Sequence, residues 1–171
     1  SVVPTEFFFS YGTDAVLTFG GTASSVVDLS STLSSVQGNN PRSIELMIKT
    51  SSAVGNFIST GTPILSQAFN LRVDSGCIGV MGYNYDFYPC QSDPNGGIAI
   101  DDNEWHYVVV TYDSVSLKIF VDYALSSQTN TFTSFSTTGN SNFLGKSNKI
   151  GSYYFTGQLK DIRFYNFAMI V

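Results

Sequence analysis

The chain has 171 residues, of which 43% are hydrophobic, 15% aromatic and only 12% charged, and its formal net charge is −5. This length and apolar content suit one domain with a sizeable core. The acidic balance, without a local cluster of Lys or Arg, argues against nucleic acid as a partner. No apolar run approaches the roughly 18 residues of a membrane span, so we expect no membrane insertion by this chain.

The polar residues are mostly Ser, Thr, Asn and Gly, a balance typical of extracellular, cell-surface or virion-surface β proteins. The chain has no initiator Met and no signal segment, and it stops at the apolar stretch NFAMIV. These features indicate a single domain over residues 1–171 that belongs to a larger parent protein.

Hydrophobic residues recur with a period of two along most of the chain. In RSIELMIKT, residues 42–50, Ile44, Leu46 and Ile48 alternate with more polar neighbours, as in a half-buried strand. Similar runs follow, separated by Gly, Pro, Asn, Asp and Ser: NFIST, PILSQ, FNLRV, CIGVM, GIAI, WHYVVVTY, SLKIFVD and GQLKDIRFYN. No window has a helical period of more than about two turns. The sequence predicts an all-β domain of two packed antiparallel sheets.

A polar connection over residues 126–148 interrupts this pattern. It is rich in Ser, Thr and Asn, and Phe132, Phe135 and Phe143 are spaced through it. We expect a long exposed connection whose phenylalanines fix parts of it onto a sheet.

Cys77 and Cys90 stand on either side of an aromatic-rich segment. In an oxidising compartment a bridge between them would close a loop of about 15 residues and stabilise the fold by about 3 kcal/mol in the chain-entropy model. Two separate buried thiols are the alternative. Two thiols and one His cannot complete a four-coordinate metal site without carboxylates at suitable spacing.

The densest recognition chemistry lies in GVMGYNYDFYPCQSDPNGG, residues 79–97. Aromatic faces that can stack on sugar rings stand here beside amides and carboxylates that can bind hydroxyl groups. The alternative is that the tyrosines fill a gap in the sandwich and the polar residues shape turns. The predicted ligand-binding residues are Tyr83, Asn84, Tyr85, Asp86, Tyr88, Asp93 and Asn95.

Two further segments carry a family pattern: WHYVVVTYDSVSLKIFVDYALSSQ, residues 105–128, and NKIGSYYFTGQLKDIRFYNFAM, residues 148–169. These segments contain, in order, a Trp-His pair, an apolar strand ending in Thr-Tyr-Asp, a tight turn, an Ile-Gly pair and a closing strand. This order closely resembles laminin G-like domains of the concanavalin A-like lectin and glucanase superfamily. With the opening AVLTFGGTASSVVDLSSTL, the resemblance spans residues 15–169 and implies a jelly-roll sandwich of two curved antiparallel sheets.

Two positions depart from the family pattern. Gly20 stands where the opening turn of the family has an aspartate, and Tyr123 stands where the family has a glycine after Val-Asp. Because a tyrosine avoids positive φ, we expect a different turn after Asp122, with Tyr123 exposed at the rim.

The adjacent Trp105 and His106 favour architecture over chemistry. Both faces of residues 105–112 are largely apolar, so we expect a central strand covered on both sides, with Trp105 as a core anchor. The alternative for Trp105 is a platform for a sugar ring. His106 has no nucleophile or orienting group beside it in the sequence. We therefore expect a packed histidine whose ring nitrogens bind backbone groups.

The resemblance also raises catalysis and calcium. Glucanases of the superfamily use a Glu-x-Asp-x-Glu spacing, whereas Glu45 is followed by Met47 and Lys49, so we expect no enzyme. Laminin G-like domains often hold Ca²⁺, but no loop shows an organised run of ligands. We expect no cofactor, and a structural calcium stays open, with candidate ligands at Asp14, Asp28, Asp113 and Asp161.

Taken as a whole, the sequence predicts a non-catalytic binding module for carbohydrate recognition or adhesion, with a glycan or glycoprotein as its partner. The parent protein is expected to be secreted or displayed on a cell or virion surface. The alternative is a structural or protein-interaction domain of a multidomain protein, without a glycan site.

Overall fold

The computed structural model describes residues 6–8, 15–29, 37–92, 96–129, 135–149 and 153–171. Within these ranges the chain forms twelve strands and one helix of four residues. No helix in the described ranges is long and apolar enough to cross a membrane.

Seven strands form the larger sheet: β1 (Glu6–Phe8), β2 (Leu17–Gly20), β4 (Arg42–Lys49), β8 (Trp105–Tyr112), β9 (Leu117–Val121), β10 (Ala124–Thr129) and β12 (Thr156–Tyr165). Their order is β1-β12-β4-β8-β9-β10, and β2 also pairs with β12. All pairs are antiparallel. The centre is the pair β4 and β8, which stay in register over eight residues each.

Five strands form the smaller sheet: β3 (Val27–Asp28), β5 (Val54–Ser59), β6 (Asn70–Asp74), β7 (Cys77–Met81) and β11 (Phe143–Leu144). They follow the order β3-β11-β5-β6-β7, again with antiparallel pairs. The short helix α1 (Pro89–Ser92) follows β7 along the chain.

The core lies between the two sheets. Leu46 of β4 and Val108 of β8 face it from the larger sheet, while Leu71 of β6 and Val80 of β7 face it from the smaller one, and each is fully buried. Alternate residues of one strand point to opposite faces, which is why the period of two in the sequence appears as one buried face. The predicted all-β sandwich of two antiparallel sheets is confirmed.

Two of the predicted runs are not strands. Pro63–Ser66, within PILSQ, forms a turn, because Pro63 has no N–H to donate and Ser66 adopts a φ of 60°. Ile64 and Leu65 are consequently 50% and 63% exposed. The run GIAI contributes only one bridge, from Ala99 to Cys77.

The polar connection is partly fixed onto the sandwich, as expected. Phe135 is 1% exposed and belongs to the core, and Phe143 begins β11. Phe132 lies outside the described residues.

The turn between β9 and β10 contradicts the expectation for Tyr123. Asp122 and Tyr123 adopt φ values of 50° and 67°, so the turn keeps positive φ without a glycine. Asp122 Oδ1 accepts a hydrogen bond from the Tyr107 N–H at 2.9 Å, and the rings of Tyr107 and Tyr123 lie 5.0 Å apart. These contacts offset a backbone strain of about 1–2 kcal/mol. Tyr123 is 79% exposed, as predicted.

Candidate functional site

The first candidate surface is the loop after β7. We call residues 82–88 the tyrosine loop. A disulfide joins Cys77, at the start of β7, to Cys90 in α1, so the bridged alternative is the one present. The bridge and β7 together fix both ends of the loop.

Hydrogen bonds within the tyrosine loop fix its backbone. Asp86 Oδ1 accepts from the N–H groups of Gly82 and Tyr83 at 2.8 and 3.0 Å. The Ser66 N–H donates to the carbonyl oxygens of Gly82 and Tyr83 at 3.0 and 3.1 Å. Tyr83 and Asn84 both have positive φ, 52° and 102°. Two consecutive residues other than glycine are thus held in a sparsely populated conformation.

Two aromatic side chains of the loop contact the sandwich. The Tyr85 ring meets the buried Phe135 ring edge to face, with 6.2 Å between centroids. The Tyr83 hydroxyl donates to Asn148 Oδ1 at 3.2 Å. Both contacts match the alternative in which the tyrosines fill a gap beside the sheets.

Tyr88 stacks on a buried arginine. The Arg72 guanidinium carbon lies 5.4 Å from the Tyr88 ring centroid and 4.9 Å from that of Tyr153, and Arg72 Nη2 binds Asp74 Oδ2 at 2.8 Å. Burial, followed by the charge of Asp86, raises the pKa of Tyr88 to about 12. Its hydroxyl therefore stays protonated at neutral pH.

The predicted site residues separate into three groups. Asn84 and Asp86 are exposed, whereas Tyr83, Tyr85 and Tyr88 are partly buried. Asp93 and Asn95 lie outside the described residues. The five described residues share one loop, and the exposed Asn84 directly follows Tyr83, whose backbone is hydrogen-bonded to Asp86 and Ser66.

The second candidate surface lies on the outer face of the larger sheet. Leu46 and Ile48 of β4 point into the core, so Lys49 points outward. Register places Thr18, Gln158, Lys49 and Trp105 next to one another across β2, β12, β4 and β8. We call these four residues the sheet-face row.

A hollow of about 240 Å³ lies beside the sheet-face row. Hydroxyl, amide and ammonium groups line it, among them those of Thr18, Lys49, Ser51, Thr156 and Gln158. No Asp or Glu is among its lining residues in the described part of the chain.

The Trp105 ring has a cation above it. Lys160 Nζ lies 4.6 Å from the ring centroid. Lys160 of β12 pairs with Met47 of β4, and Trp105 belongs to β8 on the other side of β4. The Lys160 and Trp105 side chains therefore meet over β4. Trp105 is half-buried and lies outside the core cluster, so the predicted core anchor is wrong. The physical reason is its parity: Trp105 is on the opposite face of β8 from the core residue Val108.

The next outward row combines aromatic and ionic groups. The Tyr107 hydroxyl donates to Glu45 Oε2 at 3.0 Å, and Glu45 also binds Arg163. Burial, followed by the charge of Glu45, raises the pKa of Tyr107 to about 12. Glu45 is therefore held between an arginine and a tyrosine.

The chain's last residues cover the far end of this face. Ser43 Oγ donates to the Phe167 carbonyl and accepts from the Met169 N–H, each at 2.8 Å. Residues 168–171 and the strands β8 and β9 enclose a second hollow of about 220 Å³. The outer face of β8 is thus covered near Thr111, which is buried, and open near Trp105. We expected β8 to be buried on both faces, and this is true only of the second half of the strand.

His106 binds two carboxylates, not the backbone groups that we expected. Its Nδ1 lies 2.8 Å from Asp122 Oδ2, and its Nε2 lies 3.0 Å from Asp102 Oδ1. Burial lowers the pKa of His106, but the hydrogen bonds to Asp122 and Asp102 outweigh it, and the net pKa is raised. The sequence could not show the contact with Asp122, because Asp122 reaches His106 only through the β8–β9 pairing.

No three His, Cys, Asp or Glu side chains come together as a metal-binding group in the ranges that the structure describes. Among the calcium candidates, Asp113 accepts from backbone N–H groups of the β8–β9 turn at 3.0 and 2.6 Å. Asp28 lies in β3 and Asp161 in β12, while Asp14 is not described. A structural calcium stays a prediction.

The sheet order, the two layers and the closing strand define a concanavalin A-like jelly roll. The family model of the concanavalin A-like lectin/glucanases superfamily, of the laminin G type, matches residues 19–170. The chain belongs to this family. No curated protein sequence matches it.

Solved structures share the fold at low sequence identity. Domains LG4-5 of the mouse laminin alpha1 chain are 15% identical, with 95% of this chain and 45% of that chain covered and a TM-score of 0.65. Domain 4 of AbnA is 16% identical, with 79% and 64% covered and a TM-score of 0.59. AbnA is a GH43 extracellular arabinanase from Geobacillus stearothermophilus, and that structure is a complex with arabinotriose.

The binding domain of botulinum neurotoxin serotype D is a third similar structure. It is 13% identical, with 91% of this chain and 39% of that chain covered and a TM-score of 0.59. The chain spans less than two thirds of the length of each of these three chains.

The sequence contained one signal for the sheet-face row that our interpretation did not use. Lys49 ends an alternating strand on its polar parity, and Trp105 begins another strand. Only the register of β4 against β8 places them side by side.

Proposed function

We propose that the chain is a non-catalytic carbohydrate-binding module of a secreted or surface-displayed protein. Its ligand is a glycan or the glycan of a glycoprotein. The tyrosine loop is the proposed binding surface, with ligand contacts from Tyr83, Asn84, Tyr85, Asp86, Tyr88, Asp93 and Asn95.

The observation that carries this proposal is the fixed strain at the loop tip. Tyr83 and Asn84 have φ values of 52° and 102° against their intrinsic preference, and the Asp86 carboxylate and the Ser66 N–H bind the N–H and carbonyl groups of Tyr83, directly before Asn84. Strain of this kind, over-determined by its surroundings, is typical of functional sites. It presents an aromatic face and an amide in one orientation, which lowers the entropy lost on binding.

The similar structures support a binding role. Two of them are named as a binding domain and as a domain in complex with arabinotriose, and the arabinanase is named as extracellular. In this chain the outward carboxylate Glu45 is held by Arg163 and Tyr107, which favours a structural role over acid–base chemistry.

A glycan array, followed by calorimetry on the best ligand, tests the proposal with Asn84→Gly. Glycine accepts the φ of 102° and removes only the amide, so the loop keeps its shape. We expect at least tenfold weaker binding, which is about 1.4 kcal/mol. Gln128→Ala removes an exposed amide from β10 of the other sheet and serves as the control with unchanged affinity. Equal affinity of wild type and Asn84→Gly would refute the loop as the site.

A protein-interaction role is the second candidate, and one observation favours it. Ile64 and Leu65 are exposed side by side, 50% and 63%, in the turn whose Ser66 binds the tyrosine loop. Adjacent exposed apolar side chains are typical of protein contacts. An array on which wild type binds no glycan would favour this role.

A further inference from the structure

We propose that the hollow at the sheet-face row binds one saccharide unit that carries a carboxylate or sulfate group, with Lys49 as the partner of the anion. This inference rests on the proposed function in carbohydrate binding. The proposed surface lies on the larger sheet, whereas the tyrosine loop follows β7 of the smaller sheet. It also specifies that the ligand is negatively charged, which the proposal for the tyrosine loop does not.

The two surfaces lie at different ends of the sandwich. The turn before β7 bonds to residues near the sheet-face row: the Gly76 N–H donates to the Ala53 carbonyl at 3.1 Å and the Gly76 carbonyl accepts from Ile100 at 2.8 Å. β7 then runs five residues to Met81 before the tyrosine loop begins. At about 3.4 Å per residue, the two ends of β7 are separated by roughly 15 Å.

The chemistry of the hollow fits a sugar. The hydroxyl groups of Thr18 and Thr156 and the amide of Gln158 can donate and accept, as hydroxyl recognition requires. The Trp105 indole offers a flat apolar face at the rim of the same row, next to Lys49 across the strands. The volume of about 240 Å³ is small for a ligand pocket and suits one saccharide unit.

The charge of the hollow selects an anion. Lys49 makes no ion pair with any residue of the described ranges, in contrast to Arg72 and Arg163, which bind Asp74 and Glu45. No carboxylate lines the hollow, and the Lys160 ammonium stands over the Trp105 ring. An acidic chain with a net charge of −5 thus leaves the Lys49 ammonium, which lines this polar hollow, without an ion-pair partner among the described residues. A carboxylate or sulfate accepts charge-assisted hydrogen bonds from such a group.

Trp105 gives the test a local readout, because it is the only tryptophan of the chain. The intact chain is titrated with three oligosaccharides of equal length, one with uronic acid, one sulfated and one neutral, while tryptophan fluorescence and calorimetric affinity are recorded. We expect fluorescence changes with the acidic ligands, and at least tenfold weaker binding of them by Lys49→Met. Lys118→Met, an exposed lysine on the same face but at its far end, should bind as wild type does.

The outcomes separate this inference from the proposed function. Binding of only the neutral oligosaccharide, or equal loss with Lys49→Met and Lys118→Met, would overturn the acidic site and leave carbohydrate binding intact. Weakening by Asn84→Gly with no effect of Lys49→Met would also overturn it, because the acidic ligand would then sit on the tyrosine loop. No binding of any of the three, together with an empty glycan array, would overturn both proposals. A preference between the uronic acid and the sulfated ligand identifies the anion.

Discussion

The tyrosine loop and the sheet-face row hold similar residue types but use them differently. In the loop, the Asp86 carboxylate and the Tyr83 hydroxyl already have partners within the protein, at 2.8 and 3.2 Å. In the row, Lys49 has no ion pair among the described residues, and its backbone position follows from strand register alone. Residue composition therefore identifies side chains that could bind a ligand. It does not show which of them already have hydrogen-bond or ion-pair partners within the protein.

Removal of the disulfide should have the largest effect on stability. Of the two surfaces, it should change the tyrosine loop and not the sheet-face row. Cys77→Ser with Cys90→Ser opens a bridge that spans 13 residues, so we expect a loss of about 3 kcal/mol in the free energy of unfolding. Urea denaturation measures it. Hydrogen exchange should quicken at residues 82–92, while native tryptophan fluorescence stays unchanged. A changed fluorescence would show that the two surfaces are coupled.

Gly82→Ala should have the next largest effect. A Cβ at Gly82 would lie 2.4 Å from Phe135 Cε2 and 2.9 Å from the Tyr85 carbonyl oxygen. We expect a loss of about 2 kcal/mol, because a buried aromatic ring must shift. Gly20→Ala is the matched control, since its Cβ would meet nothing closer than 4.0 Å. Equal stability of the two variants in thermal unfolding would contradict the contact between the loop and Phe135.

His106→Gln should have a smaller effect that depends on pH. The folded pKa of His106 is raised above its ordinary 6.5, so the stability from its charge is complete below about pH 6.5 and is lost as the pH rises through the folded pKa. Relative to wild type, we expect a loss of about 1 kcal/mol at pH 5.5 and a smaller one at pH 8.5.

Urea denaturation at both pH values measures this difference. Asp122→Asn should show the same dependence, because Asp122 holds Nδ1 of the ring. A loss that does not change with pH would indicate that the ring acts only by packing.

Lys49→Met should have the smallest effect on stability. A side chain without an ion-pair partner contributes little to the folded state, so we expect a change below about 0.5 kcal/mol in thermal unfolding. A loss above about 1 kcal/mol would show that Lys49 is already used by the fold, as the loop residues are.

Much of the fold could be predicted from the sequence. The alternation in RSIELMIKT and the apolar run in WHYVVVTY each predict a strand, and the two segments form the central pair of the larger sheet. The exposure of Tyr123 also followed from its place in a turn. The positive φ of Tyr123 did not, because the compensating contacts come from Tyr107 on a neighbouring strand.

The sites were less predictable wherever they depend on pairing between distant strands. Trp105 was assigned to the core because aromatic residues carry large buried areas, yet parity places it outside. The contact of His106 with Asp122 depends on the register between β8 and β9, and the contact of Lys49 with Trp105 depends on the register between β4 and β8. A period of two in the sequence identifies the two faces of a strand. It does not identify the strands that lie next to it in the sheet.

The pairing of the first and last strands has a mechanical consequence. Glu6 of β1 is opposite Tyr165 of β12, so the outer ends of these two strands lie together at one edge of the sheet. A tension applied to these two ends loads their backbone hydrogen bonds one after another, as in the opening of a zipper, and not all at once. Under force β1 should therefore peel away first, while β12 remains held by β4 along its length. The domain would then yield at its edge before either candidate surface is disturbed.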